Sequence, residues 1–175
     1  AVVEFMSAAE KPALAYESYI ALGDIMKLLK NDASSAEYYD KALQIKSTDP
    51  DLHLKFARML YKTGTIQASV NEYNLATTSA NTKDEALASL EGIWRDKIKE
   101  NSNDATAHMN LGTVLQKKGD LEGALNEYKT AQLINPDNPV LRLNIATLFQ
   151  QQGNDLMALN AYDSILNVYP NDVLT

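Results

Sequence analysis

Residues 105–138 read ATAHMNLGTVLQKKGDLEGALNEYKTAQLINPDN, and residues 139–172 read PVLRLNIATLFQQQGNDLMALNAYDSILNVYPND. Laid over one another, the two stretches match at a constant offset of 34 residues: Asn110/Asn144, Leu111/Ile145, Gly112/Ala146, Leu115/Phe149, Gly119/Gly153, Ala124/Ala158, Leu125/Leu159, Tyr128/Tyr162 and Pro136/Pro170. A fixed period of this size marks a repeat array, and each matched position has a physical task. Leu111 and Leu115, four apart, form the inner stripe of a first helix, and Gly112 or Ala146 is small enough to let a paired helix approach closely. Gly119 and Gly153 stand where that helix must stop, with Asp120 or Asn154 next as a cap for a second helix. Ala124, Tyr128 and Ala131 repeat on the packing side of that second helix, and Pro136 or Pro170 ends it because proline cannot continue the hydrogen-bond ladder.

Spacing and residue types resemble the tetratricopeptide repeat (TPR). Two weaker copies lie upstream. Residues 16–49 carry Tyr19, Leu22, Gly23, Met26, Ser35, Tyr39 and Ala42 at the matching places, and residues 50–83 carry Phe56, Ala57, Leu60, Gly64, Ser69, Tyr73 and Ala76. In these copies Ser47 and Asn81 replace the closing proline. Between the pairs, residues 84–104 (DEALASLEGIWRDKIKENSND) place Leu87, Leu90, Trp94 and Ile98 on one stripe, which predicts an extra amphipathic helix acting as a cap or joint. The same segment also reads as the second helix of a degenerate repeat, since Trp94 falls 34 residues before Tyr128. Residues 1–15 read as the tail of a preceding repeat and 173–175 as the start of a further one. The resemblance implies an all-α, right-handed superhelical solenoid of antiparallel helix pairs, with the extra helix between the second and third repeats.

The 175-residue composition agrees with a globular chain: 45% hydrophobic, 22% charged, no cysteine. A net charge of −7 argues against a general nucleic-acid partner. The absence of a long apolar run argues against membrane insertion, and the first residues lack a basic leader. Neither disulfides nor a cysteine-ligated metal are available, and the compartment stays open.

In a TPR solenoid the first helices line a concave groove, so the resemblance implies a protein or peptide partner bound there and no cofactor. Carried over by repeat position, the groove residues are Lys55, Arg58, Tyr61 and Lys62 in the second unit. They are Thr106, Asn110, Thr113 and Gln116 in the third, and Asn144, Thr147 and Gln150 in the fourth. Asn110 and Asn144 resemble the asparagine ladder with which some arrays hold the backbone of an extended peptide, a carboxamide being both donor and acceptor. Ala21 and Lys55 stand at that position in the first two units. Lys55, Arg58 and Lys62 share one helix face, and the second unit carries net +2, so this face suits an acidic segment. Ile20 and Asp24 replace the Lys and Asn expected of a carboxylate clamp, which argues against a receptor for chaperone tails.

Catalysis has little support. His53 and His108 occupy the fourth repeat position, usually filled by a bulky packing residue, and no phosphate loop or nucleophile motif is present. The tyrosine stripe Tyr39, Tyr73, Tyr128 and Tyr162 reads as core. The function expected is a non-catalytic interaction scaffold. Two rivals are a substrate-recruiting arm of a larger enzyme such as a glycosyltransferase, and a scaffold that self-assembles into homo-oligomers through its end repeats.

Overall fold

A computed structural model describes residues 2–168. Among them are ten helices and no strand: α1 (Val2–Ala9), α2 (Pro12–Leu28), α3 (Asp32–Ile45), α4 (Pro50–Lys62), α5 (Ile66–Ala76), α6 (Ala80–Glu100), α7 (Ala105–Lys118), α8 (Leu121–Ile134), α9 (Pro139–Gln151) and α10 (Asp155–Val168). The chain forms two compact units, 1–89 and 90–175, with the boundary inside α6. Pro170 and residues 173–175 lie outside the described residues.

Within the first unit α2 pairs with α3 and α4 with α5; within the second α7 pairs with α8 and α9 with α10. The same device turns each first helix into its second. At Gly64, Gly119 and Gly153 the backbone is left-handed, with φ of 81°, 89° and 73°, and Lys30 holds the equivalent slot at φ 57°. In all four turns this residue donates its N–H to a carbonyl three residues back, and the next residue donates to one five back, as Gly119 to Gln116 and Asp120 to Leu115.

Side chains open the helices as their types require. Asp49 caps α4 through the N–H groups of Asp51 and Leu52 at 3.0 and 3.2 Å, with Pro50 as first helical residue. Asp120 accepts from Gly123 N–H at 2.9 Å and caps α8, as the sequence predicts. Tyr39, Ala42, Leu43, Leu52 and Met59 build the first unit's core, with Tyr16, Tyr19, Ile20 and Phe56 packed against it. In the second unit Leu111, Tyr128, Ala131, Leu141, Ala146 and Leu148 are almost fully buried. At Gly112 a Cβ would stand 2.6 Å from the Tyr128 ring, and at Gly23 it would stand 2.4 Å from that of Tyr39. The small residue thus admits the tyrosine of the paired helix.

Three boundaries differ from the sequence expectation. Helix α2 starts at Pro12, inside the segment read as the tail of a preceding repeat, rather than at residue 16, and α1 stops at Ala9. Helix α6 begins at Ala80, inside the segment read as the second repeat, and ends at Glu100. The cause lies in Thr77, Thr78 and Thr82. The first two hydroxyls donate to the Asn74 and Leu75 carbonyls at 2.7 and 2.8 Å and that of Thr82 to Ala76 at 2.5 Å, which ends α5 without a proline. On α6 the buried residues are Thr82, Ala86, Leu87, Leu90, Ile93 and Trp94. Ile98, expected on this stripe, is half-buried.

Candidate functional site

The positions carried over from the repeat pattern fall on first helices in both units. On α4, all three cations of the expected basic face already hold a carboxylate of the same unit. Lys55 Nζ donates to both oxygens of Asp24 on α2 at 3.1 and 2.9 Å. Lys62 Nζ donates to Asp32 on α3 at 3.2 Å, and Arg58 pairs with Glu85 on α6. Each cation of the face read as suiting an acidic segment is thus paired with a carboxylate from outside α4. Tyr61 is exposed beside them.

Asp24 also accepts from the Tyr39 hydroxyl at 2.6 Å. Burial pushes its carboxyl upward, but the bonds from Tyr39 and Lys55 outweigh it and leave the pKa below the ordinary value. Burial and the neighbouring carboxylate push the Tyr39 phenol up. A similar balance holds Asp49 low, where burial is offset by the Tyr16 hydroxyl donating at 2.5 Å and by two backbone N–H groups.

The second unit is different in kind, because its first-helix residues at these positions carry no charge. Thr113 and Gln116 on α7 meet Asn144 on α9 and Gln151 just beyond its groove positions. The Tyr128 hydroxyl donates to Gln116 Oε1 at 2.7 Å, Gln116 Nε2 donates to Gln151 Oε1 at 2.8 Å, and Asn144 Nδ2 reaches Thr113 Oγ1 at 3.5 Å. Gln150 accepts from the Tyr162 hydroxyl at 3.3 Å, and Thr147 donates to its own helix at 2.9 Å. Asn110, half-buried one turn before Thr113, has no side-chain hydrogen bond among the described residues. Thr106 is exposed at the start of α7.

Two features went unread in the sequence. Tyr39 and Tyr128 are core residues and Tyr162 is half-buried, and their hydroxyls reach the paired first helices, where Asp24, Gln116 and Gln150 receive them. Tyrosine follows glutamine by twelve residues in both second-unit repeats, a spacing that carries this signal. The second feature concerns His53 and His108, which are buried as their packing slot predicts. Each ring nitrogen of both residues nonetheless has an oxygen within hydrogen-bond distance.

Among the described residues no cluster of three or more potential metal ligands occurs, and no helix is long and apolar enough to cross a membrane. No curated protein sequence matches the chain. A family described as tetratricopeptide repeat matches residues 16–49, and one described as TPR repeat matches residues 114–153. Among solved structures, a thermophilic TPR protein of Thermus thermophilus, TTC0263, is similar at TM-score 0.53 and 19% identity, over 90% of this chain and 93% of that one. YrrB, a TPR protein with an unusual peptide-binding site, is similar at TM-score 0.46 and 18% identity, over 94% of this chain and 95% of that one. The MamA protein gives TM-score 0.47 and 17% identity, over 91% and 96%. Recurrent glycine turns, small-residue and tyrosine contacts between paired helices, and the two family matches show that the chain carries tetratricopeptide repeats in a TPR-like helical fold.

Proposed function

We propose that the chain is a protein-interaction module whose second unit holds an extended segment of a partner protein along the first-helix face of α7 and α9. TPR domains as a class mediate contacts between proteins, which sets the class of partner; the binding mode is inferred from this chain's own residues. The observation that carries it is the pair Asn110 and Asn144 on adjacent first helices. The Asn110 carboxamide has no hydrogen bond within the described chain, and that of Asn144 makes a single bond at 3.5 Å, the outer limit of such contacts. Both can turn to a peptide backbone, donating to a carbonyl and accepting from an N–H whatever side chains the segment carries.

The acidic preference first read from Lys55, Arg58 and Lys62 loses its support, because an acidic ligand would have to displace Asp24, Glu85 and Asp32 from cations they already hold. A neutral, backbone-reading site predicts weak dependence on salt. Panning a displayed library of unstructured peptides against the chain supplies a ligand for titration. The double variant Asn110→Ala/Asn144→Ala is expected to bind it about tenfold or more weakly, at about 1 kcal/mol per lost bond, with unchanged helicity. The Lys55→Ala variant should bind as the parent does. Equal affinity in parent and double variant would remove the proposal.

A further inference from the structure

The fourth repeat position holds His53, His108 and Arg142, and all three reach back to a main-chain carbonyl six residues earlier. His53 Nε2 lies 2.9 Å from the Ser47 carbonyl oxygen and His108 Nε2 lies 3.2 Å from that of Ser102. Arg142 donates to the Pro136 carbonyl through Nη2 at 3.0 Å. The second ring nitrogen of each histidine faces a carboxylate on the paired helix: Nδ1 is 2.6 Å from Glu72 Oε2 on α5 in one case and 2.7 Å from Glu127 Oε2 on α8 in the other. The two constellations are copies at a constant offset of 55 residues, one inside each unit.

Hydrogen-bond accounting fixes what such a ring must carry. A carbonyl and an ionised carboxylate only accept, while a neutral imidazole has one N–H to give. With both nitrogens against acceptors, the neutral ring would turn a lone pair onto an oxygen inside a nearly closed site. The doubly protonated ring satisfies both contacts and pairs its charge with the glutamate. The fourth repeat supplies an internal comparison: Arg142, a permanent cation, makes the same carbonyl contact, and Ala161 stands where Glu72 and Glu127 would fall.

We propose that His53 and His108 are held in the fold as imidazolium ions, each a proton-dependent clasp that joins the two helices of its hairpin to the turn before them. Glu72 is the charged group facing His53 from α5, and the turn after α3 contributes the Ser47 carbonyl; Glu127 and the Ser102 carbonyl are the counterparts for His108. On the histidines' own helices, the Asp49 and Asp104 carboxylates are engaged in capping the N-termini. An imidazole in an unfolded chain gives up its proton around pH 6.5. A ring that keeps it in the fold adds stability that is complete in mildly acidic solution and drains away as the pH rises, because there the folded state binds more protons than the unfolded one.

The chain has two histidines, so imidazole NMR reads these sites without interference. In the folded chain labelled with 15N-histidine, at about pH 7, all four ring nitrogens are expected in the protonated class. The single variants His53→Gln and His108→Gln assign the signals. A bare nitrogen in either ring of the folded parent would overturn the proposal. In a second experiment the urea midpoint is followed from about pH 6 to about pH 8. The parent should lose stability more steeply than His53→Gln/His108→Gln, and parallel curves would also overturn it. If that double variant fails to fold, Glu72→Gln/Glu127→Gln, which keeps an acceptor and removes the charge, takes its place with the same expectation.

Discussion

Lys30 shows what a single residue contributes to a repeat. Its slot is filled by Gly64, Gly119 and Gly153 in the other hairpins, and it holds the same left-handed backbone at φ 57°. A side chain in that region costs on the order of 1 kcal/mol, so Lys30→Gly should stabilise the chain by about that much in urea unfolding. The reverse change, Gly119→Ala, should cost about 1 kcal/mol through backbone strain alone, since the added Cβ meets nothing within 4 Å. No gain at Lys30 would show that its turn is held by something other than the backbone. Gly119 at the end of α7 and Asp120, the cap of α8, were legible in the sequence because turn chemistry is local. The partners of Lys55, Arg58 and Lys62 were not. Asp24, Asp32 and Glu85 lie 27 to 31 residues away on other helices, and a charge count within one repeat does not see them.

At the scale of the element, the packing of the α2–α3 and α7–α8 hairpins rests on a glycine facing a tyrosine. Gly112→Ala would drive a Cβ to 2.6 Å from the Tyr128 ring, and the ring can move only by giving up its place in the core and its bond to Gln116. The expected loss is about 1–3 kcal/mol, read from the urea midpoint. A variant as stable as the parent would show that the ring has room to yield. Ser35 and Ser69 make the opposite case. Their hydroxyls donate at 2.8 Å to the carbonyls of Gly23 and Ala57, yet Ala124 and Ala158 hold those positions in the second unit. Those carbonyls lie within helices, so removing the hydroxyl deletes a donor without orphaning an acceptor. Ser69→Ala should change stability by less than about 0.5 kcal/mol, and a loss above about 2 kcal/mol would contradict this account. The helical pattern of residues 84–104 was legible as apolar periodicity. Its true start at Ala80 was not, because hydroxyls of Thr77, Thr78 and Thr82 take the part expected of a proline.

For the whole molecule, acid sensitivity follows from carboxylates that the fold holds ionised. Asp24 and Asp49 in the first unit lie below the ordinary carboxylate range, as does Glu91 in the second, where the Lys118 ammonium bonds it at 2.5 Å and outweighs burial. Each lowered group contributes stability that is present above its unfolded value, near pH 4, and is lost as the pH falls through its folded value. The double variant Asp24→Asn/Asp49→Asn should therefore be less stable than the parent near neutrality and show a shallower decline in acid, followed by circular dichroism. An unchanged slope would mean that these two carboxylates do not govern the acid limb. High salt should narrow the gap, because Asp24 and Lys55 remain 42% and 34% exposed.

The phenols that pass from core to surface give the chain a built-in optical gauge. The ring of Tyr128 is locked in place, and burial raises its pKa, so its ultraviolet absorption depends on the hydrogen bonds at its hydroxyl, the shortest of them to the amide oxygen of Gln116. A segment laid across α7 and α9 that recruits that amide changes the electronic surroundings of a chromophore it never touches. Occupancy of the face can then be followed by difference spectroscopy on unlabelled protein, with Tyr128→Phe as the blank.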